Sequence, residues 1–291
     1  MVIRPAVRAG SFYDASPEAC RRHVEQLAAS AELPADLPGR LYGGLVPHAG
    51  WVYSGRLAAM TFKALLAGGG VETFVLLGAD HTGDVQTGEV WPDGAWETPL
   101  GKALVNEELA AALLAGCKLL RANPAAHARE HSLEVQVPII QALAPDANIV
   151  PIAVPPTGDA VAIGQAVGEI LADKPAGRVC VVGSTDLTHH GGHFGHPGGR
   201  GEKSEAYARA NDRRMLDLIE AMDAQAVVPE AMRHHNACGA GAVAAAVAAA
   251  QARGATAGRL LAYTNSYEIT HKQYPHELDD TTVGYASVVF V

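Results

Sequence analysis

Three short apolar runs, residues 41–47, 73–79 and 178–184, constrain this chain more than any other feature, because each runs straight into polar residues. None shows the alternation of a strand with one wet face, so each reads as a strand buried on both sides of a helix-covered sheet. The first run opens into Pro47-His48-Ala49-Gly50-Trp51-Val52-Tyr53-Ser54-Gly55, the second into Asp80-His81-Thr82-Gly83, and the third into Thr185-Asp186-Leu187-Thr188-His189-His190. In open α/β sheets ligands bind beyond the carboxyl ends of the strands. His48, His81, Asp186 and His189 therefore read as residues of one site, although more than a hundred positions separate the first from the last.

The remaining pattern supports an α/β fold: one domain over 1–291, with a mostly buried mixed sheet flanked by helices. Helices are expected over 17–29, from Ser54 to the break at Gly68-Gly69-Gly70, and over 106–114, 159–171 and 202–222. Further strands are expected at 149–154, 260–264 and 283–291. The stretch 85–104, with Trp91, Pro92, Trp96 and Pro99, predicts short strands and turns. At 133–144 the β-branched residues favour a strand, while the spacing of Leu133, Val137, Ile140 and Ala144 favours a helix. A helix is the expectation, at a cost of about 3 kcal/mol if Pro138 lies in its interior. Ala237-Cys238-Gly239-Ala240-Gly241 opens an alanine-rich helix, and 191–201, with His193 and His196 among glycines, predicts a flexible loop.

Composition removes several function classes. With 48% hydrophobic and 18% charged residues the chain can bury a substantial core, and its net charge of -9 argues against nucleic acid as a partner. The amino-terminal residues lack the apolar core of a signal peptide. No stretch reaches the roughly 20 strongly apolar residues of a membrane span, so no membrane partner and a cytoplasmic location are expected. Cys20, Cys117, Cys180 and Cys238 are far apart and form no CxxC pair, so neither a disulfide framework nor a zinc ribbon is indicated. Three of them read as small buried hydrophobes.

The fourth is different in kind. Cys238 stands at a predicted helix start, where the dipole favours a thiolate, and it joins His48, His81, Asp186 and His189 as a set of metal-ligating types. Neutral imidazoles with a thiolate suit Zn, Cu or Fe(II) far better than Mg or Ca. Each member alone also has an ordinary structural use: a histidine after a strand as a hydrogen-bonding loop residue, Cys238 as packing, Asp186 as a turn cap. Trp51 and Tyr53 read either as pocket walls or as aromatics packed on the sheet.

Taken together, several motifs resemble the Memo family. They are Arg4-Pro5-Ala6-Val7 with Gly10-Ser11-Phe12-Tyr13, Pro47-His48-Ala49-Gly50 with Tyr53-Ser54-Gly55, and Gly78-Ala79-Asp80-His81. Glu130-His131-Ser132-Leu133-Glu134, Ser184-Thr185-Asp186 with His189, and Ala237-Cys238-Gly239 complete the set in the same order. The family is named for a mediator of cell motility in animals, and its prokaryotic members are called AmmeMemoRadiSam system protein B. The resemblance implies a fold similar to the class III extradiol non-haem iron dioxygenases. It also implies metal ligands at His48, His81 and Cys238, with Asp186 and His189 in the same pocket. Where those dioxygenases use a carboxylate as third ligand, this sequence has Cys238, so dioxygenase activity does not follow from the fold.

The expectation is thus a metal-dependent redox protein with iron or copper, zinc being the other fitting metal. His189 would be the general acid/base, three residues beyond Asp186, which would either orient a ring N–H or ligate directly. The alternative is a non-catalytic module that binds a peptide or protein on a vestigial dioxygenase fold. A third reading is a hydrolase with Cys238 as nucleophile. The ligand would be a small molecule or peptide, and the family association suggests AMMECR-type and radical SAM proteins as partners.

Overall fold

The structure is a computed structural model that describes residues 1–83, 85–175, 177–195, 199–274 and 281–291. In its first half run β1 (Ile3–Arg4), α1 (Pro17–Ser30), β2 (Gly43–Val46), α2 (Trp51–Leu66), β3 (Thr73–Gly78) and β4 (Gly88–Val90). There follow β5 (Ala95–Thr98), β6 (Gly101–Leu104), α3 (Glu107–Gly116), β7 (Leu120–Ala122), α4 (Pro124–His127) and α5 (Val137–Leu143). The second half contains β8 (Asn148–Ala153), α6 (Asp159–Ile170), β9 (Val179–Ser184), β10 (His189–His190), α7 (Glu202–Glu220) and α8 (Ala224–His234). It closes with α9 (Ala240–Ala252), β11 (Gly258–Asn265), α10 (Ser266–Gln273) and β12 (Thr282–Phe290).

Among the described residues the main sheet has nine strands in the order β10-β12-β2-β9-β3-β8-β4-β7, with β11 on β12, and a small sheet joins β1, β5 and β6. β2, β9, β3 and β8 run parallel, while β12 meets β2 and β4 meets β8 antiparallel. The expected α/β architecture with a mixed sheet flanked by helices is therefore present. All residues of β2, β3 and β9 are buried, which is why their sequences do not alternate. Helices cover both faces. Gly44 points at Thr61 of α2, whereas the next residue, Leu45, shares a face with Gly183 and Ala246 of α9.

The alanine tract has a steric cause. Every residue from Ala240 to Ala250 is buried, with α9 packed between the sheet and α6. A Cβ added at Gly164 of α6 would lie 2.2 Å from the carbonyl oxygen of Ala245, so the two backbones touch. Cys20, Cys117 and Cys180 are buried packing residues, as expected, and Cys238 is half-buried.

Three expectations need correction. α2 begins at Trp51 rather than near Ser54: Phe12 O accepts the Trp51 N–H at 2.8 Å, and the Ser54 hydroxyl turns back to Ala49 O instead of capping. The helix at 133–144 is preceded by a 3-10 turn, Glu134–Gln136, so Pro138 falls in the first turn of α5, where its missing N–H has no partner to lose. The alanine-rich helix starts at Ala240, leaving Cys238 in the loop before it. The loop expected at 191–201 includes residues 196–198, and so His196, which lie outside the described residues; within the remainder Gly192–Phe194 form a 3-10 turn.

β2, β9 and β3 are neighbours, and their carboxyl ends lie level: Val46 is in register with Ser184, and Leu77 with Gly183. The loops carrying His48, Asp186 and His81 therefore leave the sheet side by side.

Candidate metal centre

His48 lies just beyond β2, and its ring orientation is fixed by hydroxyl chemistry. Ser184 Oγ donates its only proton to Ser132 O at 2.8 Å, so it must accept from His48 Nδ1 at 2.9 Å. Nδ1 then carries the ring proton, and the lone pair of Nε2 points at Cys238 Sγ, 3.1 Å away. The His48 main chain is held as well, its N–H donating to Asp186 Oδ1 at 2.7 Å.

His81 is oriented by a buried carboxylate. Glu130 Oε1 accepts from His81 Nδ1 at 2.9 Å and Oε2 from the His81 main-chain N–H at 2.7 Å. Oε1 also accepts the N–H groups of His131 and Ser132, each at 2.8 Å. Burial disfavours the charged carboxylate, but the hydrogen bond from His81 and its charge, with those main-chain donors, hold Glu130 below the usual carboxylate range. This is the pairing by which proteins fix ligating imidazoles.

The third ring is that of His131, from the loop between α4 and the 3-10 turn. It stacks on His81 with centroids 4.5 Å apart and an interplanar angle of 29°, and it meets His48 edge-on at 5.5 Å. His48, His81 and His131 each offer a ligand atom within 4.8 Å of the others. Burial, then the neighbouring His81 and His131, pushes His48 well below an ordinary imidazole; burial and His81 push His131 down to about 4. His81 alone goes the other way. Burial opposes its charge, but hydrogen bonds to Cys238 and Glu130, with the charges of both, raise it to about 10.

Cys238 reaches this point because the loop before α9 lies directly on the end of β9. A Cβ at Gly239 would stand 2.2 Å from Ser184 O, so only glycine permits that approach. The sulfur accepts the Asp186 N–H at 3.3 Å, and the Gly239 N–H is taken by Thr185 Oγ1 at 3.0 Å.

The structure therefore brings His48, His81 and Cys238 together and adds His131. Asp186 stands behind the cluster: its carboxylate secures the His48 main chain, and burial raises its pKa. His189 lies beside the cluster. Its Nδ1 donates to Leu187 O at 3.0 Å and not to Asp186, the expected orienting group, whose carboxylate is taken by the His48 main chain; Nε2 is left as an acceptor, and the ring lines a cavity of about 300 Å³ with Pro156, Phe194, Met232, His235 and Cys238. Trp51 is a packing residue, buried with its Nε1 donating to Val135 O. Sequence reasoning missed His131 and Glu130 as site residues. Their signal was the segment Glu130-His131-Ser132 itself, which follows no apolar run.

Comparison with known proteins gives a consistent picture. The sequence profile described as Memo-like protein matches residues 4–289. A MEMO1 family protein of Methanopyrus kandleri is 35% identical over 296 residues, covering 98% of each chain. A MEMO1 family protein of Thermococcus kodakarensis is 37% identical over 300 residues, covering 100% of this chain and 99% of its own. A third, from Pyrococcus furiosus, is 36% identical over 301 residues and 99% of each chain.

Proposed function

We propose a function from one premise: this chain belongs to the Memo family. It is a transition-metal-binding member, the ion held by His48, His81, His131 and Cys238. The observation that carries this reading is the convergence of three imidazole nitrogens within 4.8 Å, with Cys238 Sγ 3.1 Å from one of them. The residues fit such an ion on their own chemistry: His48 Nε2 turns its lone pair towards Cys238 Sγ, His81 is oriented by a carboxylate, and the donors are nitrogen and sulfur, which select iron, copper or zinc over magnesium or calcium. Iron or copper bound there would supply redox chemistry of the oxygenase type. His189 Nε2, an acceptor on the cavity wall, can take a proton from a ligand lying against Cys238. Asp186 keeps the His48 loop in place. No helix among the described residues is long and apolar enough to cross a membrane.

A second reading, a module that recognises a peptide at the same cleft, is favoured by Val52 and Tyr53, large apolar side chains exposed by 71% and 37% on the first turn of α2. Loading separates the two. Equilibrium dialysis of tag-free protein against Fe(II), Cu(I) or Zn(II), followed by elemental analysis, is expected to give near-stoichiometric metal in the wild type and little in a His48→Ala, His81→Ala double variant. Equal, weak loading of both proteins would remove the metal reading and leave the peptide reading.

A further inference from the structure

The amino-terminal turn carries a cation that the metal centre does not use. The main-chain N–H groups of Val7 and Arg8 both donate to Glu134 Oε1, at 2.9 and 2.7 Å, and Glu134 is itself paired with buried Arg4 at 2.7 Å. The Arg8 carbonyl accepts the N–H groups of Ser11 and Phe12, both at 3.0 Å, and the Phe12 carbonyl accepts the Trp51 N–H at 2.8 Å. The turn is thus stitched on one side to the segment bearing His131 and on the other to the segment bearing His48.

Arg8 itself has no such satisfaction. Its guanidinium lies over the Phe12 ring, 5.1 Å from the centroid, and the Phe12 ring meets His131 edge-on at 5.1 Å. Its Nε is buried with no hydrogen-bond partner, and among the described residues no carboxylate pairs with it. A guanidinium is a rigid fork of donors that matches carboxylate and phosphate oxygens two at a time. An arginine fixed by its own backbone, stacked on an aromatic ring and left without an anion, is arranged to receive one.

We propose that Arg8, on its stitched turn, recognises an oxyanion, a carboxylate or phosphate group of the ligand, seated against Phe12 and His131. The site assigns a charge to that ligand: at least one end is anionic. This proposal rests on the turn and not on metal occupancy, so it stands or falls separately from the metal reading.

The test uses the full-length protein without added metal, its His131 ring nitrogens followed by NMR during titration with sodium acetate or inorganic phosphate, ionic strength being held constant with sodium chloride. The wild type should show a saturable His131 shift with a midpoint on the order of millimolar. Arg8→Gln should weaken it by about tenfold or more, and Arg8→Lys by less, because the charge remains and only the fork is lost. The stronger of the two anions identifies the group. Unchanged amide shifts at Glu134 and Trp51 verify that the turn is intact in either variant. The same midpoint in wild type and Arg8→Gln, or no saturable response of the wild type to either anion, would overturn the proposal.

Discussion

Glu130 receives four hydrogen bonds from His81, His131 and Ser132, and so sets the direction of the His81 ring and holds the main chain that carries His131. Replacing it with Gln keeps the shape and removes the charge. Metal affinity, measured by competition with a chromogenic chelator, should fall about 10- to 100-fold, the usual effect of losing a carboxylate behind a ligating imidazole. His127 tests residue-scale electrostatics away from the site. Its Nε2 donates to Glu89 O at 2.9 Å, its Nδ1 has no partner, and burial lowers its pKa to about 4 from 6.5. The folded state therefore binds fewer protons than the unfolded chain between those values. Its contribution is intact above about pH 6.5 and is lost as pH falls towards 4, by on the order of 3 kcal/mol. Urea unfolding at several pH values should show wild type losing that much more stability than His127→Gln across the window, and parallel curves would contradict the assignment. His48, His81 and Cys238 were legible as site residues because strand ends and a helix start are readable in the sequence. His131 was not, since its loop leaves no periodic pattern and its partner Glu130 becomes visible only through contacts.

Among the elements, α9 makes the sharpest demand on sequence. It is buried on every side and touches α6 backbone to backbone at Gly164, so small residues are required where polarity would not distinguish them. Gly164→Val should destabilise the fold by about 1–3 kcal/mol in denaturant titrations, because the colliding atoms belong to the main chain of α9 and cannot rotate away. The strands β2, β3 and β9 were readable from their apolar runs, as was the position of α9 near 240. The start of α2 was not: its first N–H is satisfied by Phe12, some forty positions earlier, and no local signal announces that bond. The conflict at 133–144 also had a non-local solution, a 3-10 turn whose Glu134 is engaged by Arg4, Val7, Arg8 and Tyr13.

At the scale of the whole molecule, function depends on a sheet order that the sequence does not display. β2 sits between β9 and β12, partners drawn from positions 179–184 and 282–290, and this places the ends of β2, β9 and β3 in one row. The α/β class, the strand-end loops and short strands within 85–104 were legible; the pairing order, and the joining of β5 and β6 with the two-residue β1 in a small separate sheet, were not. Four side chains from positions 48, 81, 131 and 238 then meet without any one segment contributing more than one of them. We propose that this meeting point holds a metal through nitrogen and sulfur together. X-ray absorption spectroscopy of the Zn(II)-loaded protein tests it most directly. A first shell of nitrogens with one sulfur at about 2.3 Å, the sulfur vanishing in Cys238→Ser while nitrogens remain, is the predicted result. A shell of oxygens, or a spectrum that Cys238→Ser leaves unchanged, would contradict it.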